Sequence, residues 1–124
     1  MDETTSPLFR QIAELVEDSV VDGSLREGDR APSTNELAAF HGINPATARK
    51  GLTLLAERGV LVKRRGLGMF VEDGERARIT ARRRDAFAAD FLAPLVDEAI
   101  KLDLTRDEVH RLVDQVAESR GLYS

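Results

Sequence analysis

The stretch Ser33-Thr-Asn-Glu-Leu-Ala-Ala-Phe-His-Gly-Ile-Asn-Pro-Ala-Thr-Ala-Arg49 decides the fold. Ser33 and Glu36 have the spacing at which a serine hydroxyl caps the third helical N–H while the glutamate returns to the cap. Leu37, Ala38 and Phe40 supply apolar side chains, and His41-Gly42 stops this short helix. Asn44-Pro45 then starts another, because asparagine caps well and proline suits the first turn. That helix is predicted to run to about Gly59, with Ala48, Leu52, Leu55 and Ala56 as its buried stripe. Two capped helices joined at Gly42-Ile43 make a helix-turn-helix: the glycine takes the sharp reversal and Ile43 plugs the space between the helices.

Working outward, Val60-Leu-Val-Lys-Arg64 and Gly68-Met-Phe-Val-Glu72 are β-prone and separated by Arg65-Gly66-Leu67, which predicts a hairpin, the wing. On the amino side, Ser6-Pro7 opens a helix whose stripe is Leu8, Ile12, Leu15, Val16 and Val20, ended by Gly23 as a left-handed cap. Residues 24–32 are rich in turn formers and read as a loop with room for a short strand. Residues 1–73 are therefore expected to form one winged helix-turn-helix domain.

Residues 75–124 are expected to form a short α-helical dimerisation tail, which makes the fold class mainly α with one small β-hairpin. Phe87, Phe91, Leu95, Val96, Ala99 and Ile100 form an apolar stripe over 75–102, and Pro94 should kink or divide that helix. Thr105 and Glu108 repeat the capping-box spacing ahead of Val109, Leu112, Val113 and Val116, and residues 121–124 are expected to fray. The stripe could pack on the N-terminal domain. Pairing with a second copy is favoured, because a two-helix tail has little else to bury against.

The net charge is −4, but it is segregated. Arg49, Lys50, Arg58, Lys63, Arg64 and Arg65 face one acid, Glu57, across residues 41–71, whereas residues 1–40 and 85–124 are acidic. A basic middle of this kind fits a polyanionic partner or a merely solvated surface. The start of the third helix supports the former, since a helix's first turns can reach base edges in the major groove. Asn44 and Thr47 can exchange hydrogen bonds with bases or phosphates, although capping alone also explains Asn44. Ala46 can meet a thymine methyl, and Arg49 has the fork that fits guanine. Backbone amides at the helix start would favour a phosphate. Lys63, Arg64 and Arg65 beside Gly66 read as a wing reaching phosphates or the minor groove, or else as a charged edge that discourages aggregation. Arg82-Arg83-Arg84 reads as a solvated cluster, or one that touches flanking phosphates.

No cysteine is present, which excludes disulfides and thiolate metal sites. The histidines, His41 and His110, lie far apart, and no phosphate loop, zinc spacing or nucleophile motif occurs. No enzymatic activity, metal or cofactor is expected. An acidic start and the lack of a long apolar run point to a cytoplasmic protein with no membrane partner. A winged helix that binds protein is the rival reading.

Pro7-Leu-Phe-Arg-Gln-Ile-Ala13, Gly28-Asp-Arg-Ala-Pro-Ser33, Asn35-Glu-Leu-Ala38, Gly42-Ile-Asn-Pro-Ala-Thr47, Arg49 and Arg65-Gly-Leu-Gly-Met-Phe-Val71 together resemble the GntR family of bacterial regulators. The short tail, with Phe91-Leu-Ala-Pro-Leu-Val-Asp-Glu-Ala-Ile100, resembles the YtrA subfamily, in which such tails serve dimerisation. The resemblance implies a repressor that binds a two-fold symmetric double-stranded operator as a homodimer. Its DNA contacts would come from Thr34 and Asn35, Asn44, Pro45, Ala46 and Thr47, Arg49, and the wing around Arg65 and Gly66; Lys50, in the first turns of the third helix, is a further candidate from its position alone. Many members carry arginine where this chain has Asn35 and Pro45, which implies a different base preference. An unidentified small-molecule effector could sit between the tail helices.

Overall fold

The structure, a computed structural model, describes residues 7–123. Helices α1 (Leu8–Val21), α2 (Thr34–His41) and α3 (Pro45–Glu57) precede an antiparallel hairpin of β1 (Leu61–Arg64) and β2 (Gly68–Val71). Then come α4 (Glu75–Phe87), a π-helical turn (Ala88–Leu92), α5 (Ala93–Lys101) and α6 (Arg106–Arg120). This is a winged helix-turn-helix followed by a helical tail, as the sequence predicts. Two compact units divide at Arg82 and Arg83, inside α4.

Local signals shape the first unit as expected. The Ser33–Glu36 capping box closes with Glu36 N–H donating to Ser33 Oγ at 3.1 Å and Ser33 N–H donating to Glu36 Oε1 at 3.1 Å. Gly42 ends α2 with a φ of 63°, a left-handed conformation that glycine takes without strain. Pro7 occupies the cap position of α1, and the expected Ser6 cap lies outside the described residues.

The core of this unit gathers Ile12, Ala13, Val16 and Val20 of α1, Leu37 and Ala38 of α2, and Ala48, Leu52 and Leu55 of α3. Val60, Leu61 and Val71 close it from the hairpin, and Ile43 packs against it from the turn, as its plug role predicts. Helices α1 and α3 approach closely at Gly51. A methyl group there would stand 2.9 Å from Phe9 O and 3.0 Å from Ile12 Cγ2. Leu15 and Phe40, read from the sequence as apolar partners, are instead 39% and 85% exposed. Phe40 lies about 110° round α2 from the midpoint of Leu37 and Ala38, which puts it off the buried face.

The loop before α2 does pair, as the sequence left room for. Arg30 bridges Phe70, Ala31 N–H donates to Met69 O at 2.8 Å, and Val71 N–H donates to Asp29 O at 2.9 Å. It thereby gives the wing a third, short edge. The first two turns of α4 also belong to this unit, because Ile79 is fully buried in its core and Glu75 is nearly so. The sequence drew its boundary at residues 73–75, where the composition changes; the packing continues past it.

In the second unit, Pro94 acts as expected but through a specific device. Proline has no N–H for the carbonyl four residues back. The helix widens just before it, and Ala93 N–H donates to Ala88 O, five residues back. Thr105 and Glu108 form the second capping box. The C-terminus of α6 departs from expectation: Gly121 adopts a φ of 85° and Leu122 N–H donates to Ala117 O at 2.9 Å. Residues 121 and 122 thus form a glycine cap that satisfies the helix end rather than fraying.

Candidate nucleic-acid interface

Helix α3 buries Ala48, Gly51, Leu52 and Leu55, which leaves Ala46, Arg49, Lys50 and Thr53 on its exposed face. Its first turn is organised by Asn44, whose Oδ1 accepts from Ala46 N–H at 2.8 Å. Thr47 N–H donates to Asn44 O at 3.0 Å, and Pro45 has no N–H. The backbone donors expected to attract a phosphate are therefore already occupied. Charge must come from side chains. Asn44 keeps its amide N–H groups for a partner, and Pro45 and Ala46 present an exposed apolar step beside it.

Arg49 is exposed and has no acidic partner among the described residues. Lys50 sits with its Nζ 4.2 Å from the centroid of the Phe9 ring on α1, a cation–π contact. The two adjacent bases thus have different surroundings: Arg49 is open, while Lys50 would have to leave Phe9 to reach a ligand.

At the wing, Leu67 N–H donates to Arg64 O at 2.9 Å and Gly66 takes a φ of 77°, so glycine is needed for this tight turn. Lys63, Arg64, Arg65, Gly66 and Leu67 are all exposed. The Arg64 guanidinium lies 4.7 Å from the Phe70 ring centroid, which holds it along the hairpin. Lys63 and Arg65 have no acidic partner among the described residues.

Thr34 and Asn35 form the first turn of α2, half-exposed and exposed respectively. Arg30, which the sequence reading passed over, connects this turn with the wing. Its NH2 lies 3.0 Å from Glu36 Oε1, and its Cδ stands 3.5 Å from where a side chain on Gly68 would begin. Hydrogen bonds from the Ser33 backbone and hydroxyl, with Arg30 beside them, hold the Glu36 carboxyl below its usual pKa. The signal that could have found Arg30 is tertiary: it lies in the loop that pairs with β2.

The fold also sorts the remaining bases of the middle segment. Arg58 stands 4.0 Å from Glu17, Arg78 bonds Glu75 at 2.6 Å, and Arg82 bonds Glu17 at 2.9 Å. Arg82 thus keeps a largely solvated side chain, as the Arg82–Arg84 run leads one to expect, while its NH2 is committed to Glu17. Among the described residues, Arg49, Lys63 and Arg65 have no acidic partner; Lys50, Arg64 and Arg84 have none either, but Lys50 lies against Phe9 and Arg64 against Phe70.

The tail residues expected to mediate pairing are mostly uncovered. Phe87 and Phe91 are 53% and 64% exposed, with ring centroids 5.6 Å apart. Leu95, Val96, Ile100 and Leu112 are also exposed, whereas Ala99 is buried within the tail. Leu92, Leu95 and Ala99 join Leu112, Val113 and Val116 in lining an apolar groove of about 560 Å³. No helix among the described residues is long and apolar enough to cross a membrane.

The family model described as "Bacterial regulatory proteins, gntR family" matches residues 8–71, from the start of α1 to the end of β2. The chain is 29% identical over 107 residues to the HTH-type transcriptional regulator YhcF of Bacillus subtilis (strain 168), a match covering 86% of this chain and 87% of that protein. It is 21% identical over 114 residues to the HTH-type transcriptional repressor YtrA of the same organism, covering 92% of this chain and 87% of that one. A GntR family transcriptional regulator from Listeria monocytogenes shares the fold, with a TM-score of 0.73, 22% identity, and coverage of 92% of this chain and 98% of that one.

Proposed function

The chain belongs to the GntR family of bacterial transcription regulators and is of the YtrA-like type, and from that premise we propose that it is a homodimeric repressor of a two-fold symmetric operator. Residues 1–73 would carry the reading head and residues 75–124 the dimerisation tail. The repressor role draws support from the name of the YtrA relative. The observation that carries the DNA-binding surface is the sorting of bases. Arg58, Arg78 and Arg82 are paired with acids, while Arg49, Lys63 and Arg65, on the recognition helix and the wing, have no acidic partner among the described residues.

In this reading α3 enters the major groove with Asn44, Pro45, Ala46, Thr47 and Arg49 foremost, and Arg49 reads a base edge. Thr34 and Asn35 meet a phosphate at the groove's edge. Lys63, Arg64, Arg65 and Gly66 follow the backbone toward the minor groove, where glycine permits close approach. Lys50 joins them only by giving up Phe9. The tail doubles the site, because one helix-turn-helix spans too few base pairs to be selective alone.

Salt titration of duplex binding tests this surface. A dimer neutralising about six phosphates should lose affinity with a log–log slope on the order of −5, near −0.9 per phosphate. A flat response, or no retention of any duplex at low salt, would assign the wing to a protein partner instead.

A further inference from the structure

Glu17 is a nearly buried carboxylate: its side chain is 7% exposed, and it lies on the α1 face that packs against the core. Its Oε2 accepts from Arg82 NH2 at 2.9 Å, and its Oε1 stands 4.0 Å from Arg58 NH1. Arg58 is the C-terminal cap residue of α3, the proposed recognition helix. Arg82 is the last residue of the N-terminal unit, on the helix from which the tail continues. One carboxylate therefore joins the end of the recognition helix, α1 and the exit helix. A buried charge of this kind is costly unless its geometry is well satisfied, and an apolar side chain would suffice merely to fill the space.

The rest of α4's entry turn is fixed in the same way. Arg76 Nε donates to Val21 O at 3.1 Å, Arg76 N–H donates to Glu27 Oε1 at 3.3 Å, and Arg78 NH2 donates to Asp73 O at 2.9 Å. Ile79 anchors the helix from below, fully buried. Hydrophobic contact would tolerate sliding. Directional hydrogen bonds from guanidinium groups fix the helix's rotation and tilt.

We propose that the Arg58–Glu17–Arg82 triad is a positioning device that sets the separation at which the two recognition helices of a dimer meet DNA. The inference rests on the two-fold reading given above. Within the N-terminal unit the triad ties the part of α4 that ends at Arg82 to α1 and to the end of α3, and in a tail-paired dimer this is the hold through which spacing would be set. None of the three residues touches DNA in this account. The triad acts on spacing, and base preference within a half-site is left to α3.

The test uses the full chain and duplexes carrying two copies of its selected half-site, at the selected separation and at separations changed by one or two base pairs. Wild-type protein should prefer the selected separation by roughly tenfold or more, since a shift displaces at least one base contact. Arg82→Ala should reduce that preference to less than about threefold while leaving the dimer and the affinity for a single half-site unchanged; the tenfold reference is the cost of one mismatch. Arg82→Lys, which keeps the ion pair, should restore most of it. Glu17→Gln should act like Arg82→Ala; because Glu17 is buried, Arg82, whose side chain is 54% exposed, supplies the decisive variant. The proposal is overturned if Arg82→Ala discriminates spacing as wild type does, or if single-half-site affinity falls in step, which would mark a general structural role. If wild-type protein itself shows no spacing preference, the two-fold reading fails and this inference with it.

Discussion

Phe87→Gln combined with Phe91→Gln yields a monomer in sedimentation, with operator binding weakened at least a hundredfold. Both rings are more than half exposed, so they contribute little to either compact unit of one chain. In a two-fold interface each ring counts twice. Burying four rings at about 1.5 kcal/mol each gives about 6 kcal/mol of association free energy, enough to move a micromolar dimer into the millimolar range or beyond. Glutamine is a good helix former, so α4 and the turn after it survive the change. Loss of the second head removes the gain in effective concentration that two linked sites provide, typically about 10²–10⁴. A double variant that still sediments as a dimer with wild-type operator affinity would remove the aromatic pair from the interface and leave the α5–α6 groove as the alternative.

Arg49→Ala is the second large effect. Arg49 is the open base on the exposed face of α3, one turn from the Asn44 cap, and nothing in the fold restrains or requires it. If its fork pairs with a guanine edge, removing it costs about 1–3 kcal/mol per half-site and flattens preference at one position. Competition with duplexes substituted base by base reads this directly. Affinity that falls equally for every sequence would make Arg49 a phosphate clamp. No change would take α3 out of the groove. Thermal stability should be unaffected, because exposed substitutions away from caps and ion pairs usually stay within about 0.5 kcal/mol.

The elements that the sequence made legible are those whose causes are local. Ser33 with Glu36, Thr105 with Glu108, and Asn44 with Pro45 each place a cap and its partner within three residues, and all three form helix starts at those residues. The Arg65-Gly-Leu67 turn is legible for the same reason. Less legible was what depends on residues far apart. Glu17 looked like one charge on an amphipathic helix, yet it meets Arg82, which is 65 residues away in sequence. Lys50 looked equivalent to Arg49 until Phe9 was found beneath it. Arg30 looked like a loop residue, and its bridge to Phe70 gives it a place between α2 and the wing. Pro94 announced a disturbance, but a widened turn and a clean break leave the same trace in sequence. In the candidate interface the residue types were visible early. Their division into free and committed charges was not, because ion pairing is set by tertiary approach.

In the proposed function, two copies of this chain read a symmetric site through α3 and the wing. Selection of bound sequences by the wild-type protein from a random duplex pool tests it most directly. Enrichment of one two-fold symmetric sequence is expected, with identical half-sites at a fixed separation near one helical turn, about 10 base pairs, or a small multiple of it. Enrichment of a single asymmetric site, or none above the starting pool, would contradict it.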